Sequence, residues 1–216
     1  VPVDENLYPV NLVLRGRRCL VVGGGGVASR KVAGLVDAGA VVHVVGRWVG
    51  EGIRRLAADP ANAVTFEERP YEADDIGGAW LIITATDDPA VNATVRADGE
   101  AARIWVNAAD DPPSCSFTLP AVVRQGPVMV TVSTAGQSPA LATWLKAHVG
   151  EKMGPEFATL AGLLGEARAR LQGEGRSTED VDWRPALNWD MLGELRAGDL
   201  ARARKRLEAC LSSSLD

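Results

Sequence analysis

The sequence predicts an α/β protein whose mostly parallel sheet is covered by helices on both faces and followed by a helical tail. Two observations carry this. Between Cys19 and Val106, short β-branched runs alternate with longer helical patterns. Those runs are apolar throughout rather than at every second residue, as strands buried on both faces should be. Beyond Phe157 the strand signal stops, and apolar residues recur at spacings of three and four.

The expected strands are Cys19–Val22, Val41–Val45, Val64–Phe66, Trp80–Thr84 and Ile104–Val106. A first helix should run from about Gly26 to Ala38, with Ala28, Val32, Leu35 and Val36 facing inward and Gly39 as the stop. A second should run from Pro89 to about Ala101, behind Asp88 as N-cap with proline at the first helical position. The β-α-β alternation implies right-handed crossovers. After Asn107 the rhythm changes. Ser116–Val123 and Val128–Ser133 read as two strands joined by the turn Arg124-Gln125-Gly126-Pro127. Ser138-Pro139 opens a helix that carries Leu141, Trp144, Leu145, His148 and Val149 on one stripe. In the tail, Phe157, Leu160, Leu164, Ala167 and Leu171 mark a further helix. A polar break at Gln172–Asp180 precedes two short ones ending near Leu211. Three parts are expected: a sheet domain over about 1–113, a hairpin-plus-helix dimerisation segment over about 114–150, and a helical domain over about 151–216.

Composition sets the class. The 216 residues are 46% hydrophobic and 24% charged, with a net charge of −5. No Lys/Arg-rich run offsets that charge, so no nucleic-acid partner is expected. Cys19, Cys115 and Cys210 are far apart and odd in number, which fits neither a disulfide framework nor a zinc pattern. His43 and His148 have no Cys or carboxylate at ligand spacing, so no metal site is expected. The first residues, acidic at Asp4 and Glu5, do not read as a signal peptide, and no apolar run is long enough to span a membrane. A cytoplasmic protein is the expectation. The six tryptophans, at 48, 80, 105, 144, 183 and 189, are expected to pack in cores, with Trp48 placed to flank a ligand.

The sharpest motif is Val21-Val22-Gly23-Gly24-Gly25-Gly26-Val27-Ala28, between the first strand and the first helix. It fits G-x-G-x-x-G/A, which makes the domain Rossmann-like: Gly23 for the tight turn, Gly25 for close approach to a pyrophosphate, Ala28 for tight helix–strand packing. The helix start adds free N–H groups and the positive end of its dipole. Gly23, Gly25, Gly26, Val27 and Ala28 are therefore cofactor candidates; the plain alternative is a structural glycine turn. The second strand ends Val44-Val45-Gly46-Arg47-Trp48, without the carboxylate that usually binds the adenosine ribose. Arg47 and Trp48 could instead flank adenine, or Arg47 could hold a 2′-phosphate or simply begin a solvated loop. Thr86 and Asn107, at the ends of the fourth and fifth strands, complete the cofactor candidates. Asp88 reads as a helix cap rather than a catalyst.

With these residues in place, the chain resembles the precorrin-2 dehydrogenase/sirohydrochlorin ferrochelatase family, which includes the N-terminal part of siroheme synthase. The resemblance lies in Tyr8-Pro9-Val10-Asn11-Leu12, in the run from Val21 through Ala28 to Ser29-Arg30-Lys31, and in Ala85-Thr86-Asp87-Asp88. It continues through Asn107-Ala108-Ala109-Asp110-Asp111-Pro112, Ser116-Phe117-Thr118-Leu119-Pro120 and Ser133-Thr134-Ala135-Gly136-Gln137-Ser138-Pro139. It covers at least residues 8 to 150; the helical tail matches in kind only. Two departures stand out, Gly26 where acidic residues are common and the tail beyond Gly150.

The resemblance implies NAD-dependent oxidation of the tetrapyrrole precorrin-2 to sirohydrochlorin by a homodimer, and in some members insertion of Fe²⁺ to give siroheme. It assigns the essential acid–base role to Asp110. Removing a hydride and a proton from the macrocycle needs one positioned base; the alternative for Asp110-Asp111-Pro112-Pro113 is an Asx-turn. Ser133, Thr134, Gly136 and Ser138 form a candidate cradle for the substrate's carboxylates, joined by Arg124. Lys146 and the group Arg15, Arg17 and Arg18 are further carboxylate candidates or ordinary surface charges. Two rival functions are a nucleotide-sensing regulatory module and a dehydrogenase of an unrelated small substrate. The stretches Asn107–Pro112 and Ser133–Pro139 argue against the first.

Overall fold

The computed structural model describes residues 6–109, 115–179 and 181–212. The chain forms two compact units, one made of Val1–Leu119 with Ala135–Ser138, the other of Pro120–Thr134 with Pro139–Asp216.

The first unit is a doubly wound parallel sheet. Its strands are β1 (Arg18–Val22), β2 (Val41–Gly46), β3 (Val64–Glu68), β4 (Leu81–Thr84) and β5 (Trp105–Ala108), in the spatial order β3-β2-β1-β4-β5. All neighbours are parallel; Val21 pairs with Val44 on one side and with Ile83 on the other. Side-chain alternation explains the unbroken apolar runs. Cys19, Val21, Val42, Val44, Leu81 and Ile83 face one core, shared with Ala28, Val32 and Leu35 of α1 (Gly26–Asp37) and Ile53 of α2 (Glu51–Ala58). Leu20, Val22, Val45, Ile82 and Val106 face a second core, shared with Val95 of α3 (Pro89–Ala101). β1, β2 and β4 thus bury residues on both faces, the arrangement that the apolar runs predict, whereas the edge strand β3 leaves Thr65, Glu67 and Glu68 exposed. Asp88 caps α3 as expected, its carboxylate accepting from the N–H of Ala90 and Val91 at 3.0 and 3.3 Å.

Several elements differ from expectation. The short helix α2 has no counterpart in the sequence reading; its eight residues bury Ile53. The strand expected over Ser116–Val123 begins only at Ala121. Pro120 cannot donate to a ladder, and the residues before it are tied to the free edge of β5. Ser116 N–H donates to Val106 O at 2.9 Å, and Val106 N–H donates to Ser116 Oγ at 2.7 Å. The tryptophans are not core residues as a group. Trp48, Trp80, Trp105, Trp144 and Trp189 are exposed. Trp80 carries the Arg17 guanidinium over its ring at 3.8 Å, and Trp144 stacks on His148. Arg18 begins β1 and donates to the carbonyls of Asp75 and Gly77, so it serves the amino end of the sheet, opposite the edge where ligands bind.

The second unit opens with the hairpin β6 (Ala121–Gln125) and β7 (Val128–Val132), antiparallel with Val123 opposite Val130. Gly126 takes φ +56° at the first position of the two-residue loop, as a type II′ turn requires. Next come α4 (Pro139–Lys152), α5 (Glu156–Gly173), α6 (Trp189–Arg196) and α7 (Leu200–Ser212). Leu160, Leu163, Leu171, Met191, Leu195, Leu207 and Leu211 form the core of the last three helices. By contrast α4 has no buried residue, and its expected stripe leaves Leu141 and Trp144 exposed.

Candidate dinucleotide site

The cleft forms where the strand order reverses, between β1 and β4, at the carboxyl ends of the strands. It encloses about 740 Å³ and is walled by the glycine loop, by the ends of β2, β3 and β4, and by Ala109 after β5.

Each glycine of the loop has a separate task. Gly23 turns with φ +123°, and a Cβ there would lie 2.4 Å from Ala85 O. At Gly24 a Cβ would lie 1.8 Å from Trp48 O, so the loop touches the backbone beyond β2. Gly50 N–H donates to Gly24 O at 2.9 Å and fastens that contact. Gly25 and Gly26 behave differently. A Cβ on Gly25 would meet only the Trp48 ring at 4.0 Å, and one on Gly26 would meet nothing within that range. Gly25 is also the N-cap of α1 and offers no side-chain acceptor to the first helical N–H groups. Open space against free N–H groups at a helix start fits a pyrophosphate.

Around the loop, Val27, Arg47, Trp48 and Thr86 line the cleft as the sequence suggested. Thr86 is oriented by its neighbours: its hydroxyl donates to Asn92 Oδ1 at 2.9 Å and accepts from Asp88 N–H at 3.2 Å. Ala28 is fully buried behind the loop. Asn107 is also buried and does not line the cleft. Its amide donates to Phe117 O at 2.9 Å, which secures the segment along β5. Ala109, immediately before Asp110 in sequence, lines the cleft; Asp110 and Asp111 lie outside the described residues. Of the proposed carboxylate cradle, Ser133 and Thr134 belong to the second unit and Gly136 and Ser138 to the first. Ala135 and Gly136 both have positive φ, and Arg124 is exposed on β6.

Among the lining residues that the sequence reading did not single out are Ala90, Val91 and Thr94 of α3, Pro70, and Arg69 and Tyr71. The last two follow β3, whose carboxyl end faces the same edge, and that rule would have found them. Arg69 donates to both oxygens of Asp75 at 2.9 and 2.5 Å and to Glu67 at 2.7 Å. The guanidinium holds the nearly buried Asp75 carboxyl below the usual carboxylate range, and its partners hold Arg69 firmly protonated. Burial, then the hydrogen bond to Asp98, pushes the Tyr71 phenol up, so it is a neutral donor at neutral pH.

Among the described residues no cluster of three or more His, Cys, Asp or Glu could hold a metal ion. His43 lies within hydrogen-bond distance of Thr65 Oγ1, at 2.9 Å, and burial lowers its pKa. No helix among the described residues is long and apolar enough to cross a membrane. A second cavity of about 760 Å³ lies in the helical unit, lined in part by Lys152, Trp189 and the ion pair of Glu156 with Arg196. No residue singled out from the sequence as a site candidate lines it.

Comparison with known proteins agrees with this geometry. Residues 10–121 match the family described as "Putative NAD(P)-binding". Siroheme synthase of Nitrosococcus oceani is 35% identical over 205 residues, covering 94% of this chain and 43% of that protein. Siroheme synthase of Methylococcus capsulatus is 42% identical over 164 residues, covering 76% of this chain and 34% of that protein. The chain therefore spans less than half the length of the curated relatives it matches. Among solved structures, SirC, precorrin-2 dehydrogenase, superposes with a TM-score of 0.69 at 25% identity, covering 95% of this chain and all of SirC. The chain belongs to the NAD(P)-binding family that its glycine loop announces, and it is similar to part of siroheme synthase and to SirC along its length.

Proposed function

We propose that the protein oxidises precorrin-2 to sirohydrochlorin with NAD. The observation that carries this is the cleft at the β1/β4 switch point, with open space at Gly25 and Gly26 against the uncapped start of α1, in a chain that matches the whole of SirC. When bound, the nicotinamide supplies the hydride acceptor. The backbone at the start of α1 binds the pyrophosphate, and Arg47 and Trp48 flank the adenosine. Asp110 accepts the proton that leaves the macrocycle as the hydride departs, so charge and atoms balance. Ser133, Thr134, Gly136, Ser138 and Arg124 hold substrate carboxylates. We further propose a cofactor domain over 1–113, a dimerisation segment over 114–150 and a helical domain over 151–216, working as a cytoplasmic homodimer. The unburied α4, with Leu141 and Trp144 outward, supports that segment as the dimer contact.

The test is an anaerobic assay of the purified protein with precorrin-2 and NAD. Sirohydrochlorin and NADH should appear in equal amounts. Dinucleotide binding without turnover of precorrin-2 would refute the substrate assignment. A second arm with sirohydrochlorin and Fe²⁺ decides whether the protein also inserts iron.

A further inference from the structure

The end of β2 lacks the carboxylate that reads an unphosphorylated adenosine ribose and carries Arg47 in its place. A cation there, standing alone, favours the 2′-phosphate of NADP. Arg47 does not stand alone. Its Nη2 lies 3.8 Å from Asp88 Oδ2. In the sheet β1 separates β2 from β4, so this pair reaches from the end of β2 to the residues after β4, spanning the glycine loop that follows β1. Arg47, Asp88 and the loop all line the same cleft, and Asp87 adds a second carboxylate to its wall.

The two partners differ in freedom. Asp88 is fixed, because its Oδ1 accepts from the N–H of Ala90 and Val91 at the start of α3. Arg47 is a long side chain that is 72% exposed. Asp88 is thus the anchor and Arg47 the movable arm.

We infer that the Arg47–Asp88 pair sets dinucleotide selectivity: Asp88 holds and neutralises Arg47 across the glycine loop, so that the cleft takes NAD over NADP. Asp88 is a positioning residue, acting through Arg47. The inference rests on the reading of the cleft as a dinucleotide site.

The experiment is calorimetric titration of the full chain with NAD and with NADP, without substrate. Asp88→Asn keeps a good helix cap while removing the charge. It should tighten NADP binding about two- to fivefold, the range expected from releasing an exposed cation toward a phosphate. NAD affinity should stay within about twofold. In an Arg47→Ala background the same Asp88→Asn change should alter neither affinity. An equal shift for both dinucleotides, or a shift that persists without Arg47, overturns the inference. If the unmodified chain binds neither dinucleotide, the cleft reading itself falls and this inference falls with it.

Discussion

Two neighbouring glycines in the loop should fail in opposite ways when replaced. At Gly24 an added Cβ sits 1.8 Å from Trp48 O, against an ordinary contact of at least 3.4 Å, so the loop beyond β2 must withdraw by about 1.6 Å. Two hydrogen bonds donated by its backbone N–H groups help hold that loop. One is Gly50 N–H to Gly24 O at 2.9 Å; the other is Val49 N–H to the Glu68 carboxylate at 2.9 Å. Losing the first costs about 1 kcal/mol, and losing the charged second about 1.5–3 kcal/mol. Gly24→Ala should therefore destabilise the first unit by about 2–4 kcal/mol. At Gly25 the added atom meets only the edge of the Trp48 ring at 4.0 Å, so Gly25→Val should fold with a cost below about 1 kcal/mol. Its branched side chain fills the space that a pyrophosphate needs, and NAD affinity should fall at least about 100-fold, a loss of about 2.7 kcal/mol. Urea unfolding followed by circular dichroism gives the first number and calorimetric titration the second. A folded Gly25→Val protein with unchanged NAD affinity, or a Gly24→Ala protein of unchanged stability, would refute this division of labour.

Two further outcomes follow from the same site. Asp110→Ala should reduce turnover of precorrin-2 by about 10²–10⁴ while leaving NAD affinity unchanged, with Asp111→Ala much milder; steady-state rates and a binding titration on folded protein check both. Asp75 contributes stability that is present above the usual carboxylate range, because Arg69 lowers its folded pKa, and that contribution is lost as pH falls through the folded value. The urea midpoint of the first unit should accordingly drop in acid, and Asp75→Asn should flatten that acid limb; an unchanged acid limb would count against it.

The sheet was legible because its signal is local. Val21-Val22 and Ile82-Ile83 are apolar at consecutive positions, which only strands covered on both faces tolerate. Asp88-Pro89 announced α3 through cap chemistry that needs no tertiary context. What the sequence hid depends on partners distant in the chain. In α2, Gly50 and Gly52 flank Glu51 and blur a short helix, yet Gly52 sits where a Cβ would lie 2.3 Å from Ser29 Oγ, so packing against α1 selects it. The run Ser116–Pro120 has the composition of a strand, but Ser116 spends its N–H and its hydroxyl on Val106, ten residues earlier, and covers the edge of β5 instead. The exposed tryptophans mislead for a related reason. Trp80 and Trp144 meet Arg17 and His148 at the surface, and a ring covered on one side by a neighbour reads in sequence like a core residue.

The same distinction runs through the candidate site. The part made of backbone was legible, since a pyrophosphate held by N–H groups demands small residues in a fixed order, and Gly23 to Ala28 display that order in one stretch. The part made of side chains was legible only in places, at Arg47, Trp48 and Thr86, because it is assembled from the ends of several strands. Arg47 comes from just beyond β2, Arg69 and Tyr71 from beyond β3, and Asp88 from beyond β4; sequence separation hid Arg69 and Tyr71 altogether. Asn107 shows the converse. Its position after the fifth strand suggested a ligand contact, whereas its amide is spent on Phe117 O, and the wall of the cleft at that strand is Ala109. In a parallel sheet the residues that reach the carboxyl edge are the last of each strand and the one or two beyond it, so a shift of two positions moves a residue from the wall of the cleft into the packing beneath it. That shift separates Asn107, packed beneath the cleft, from Ala109 in its wall.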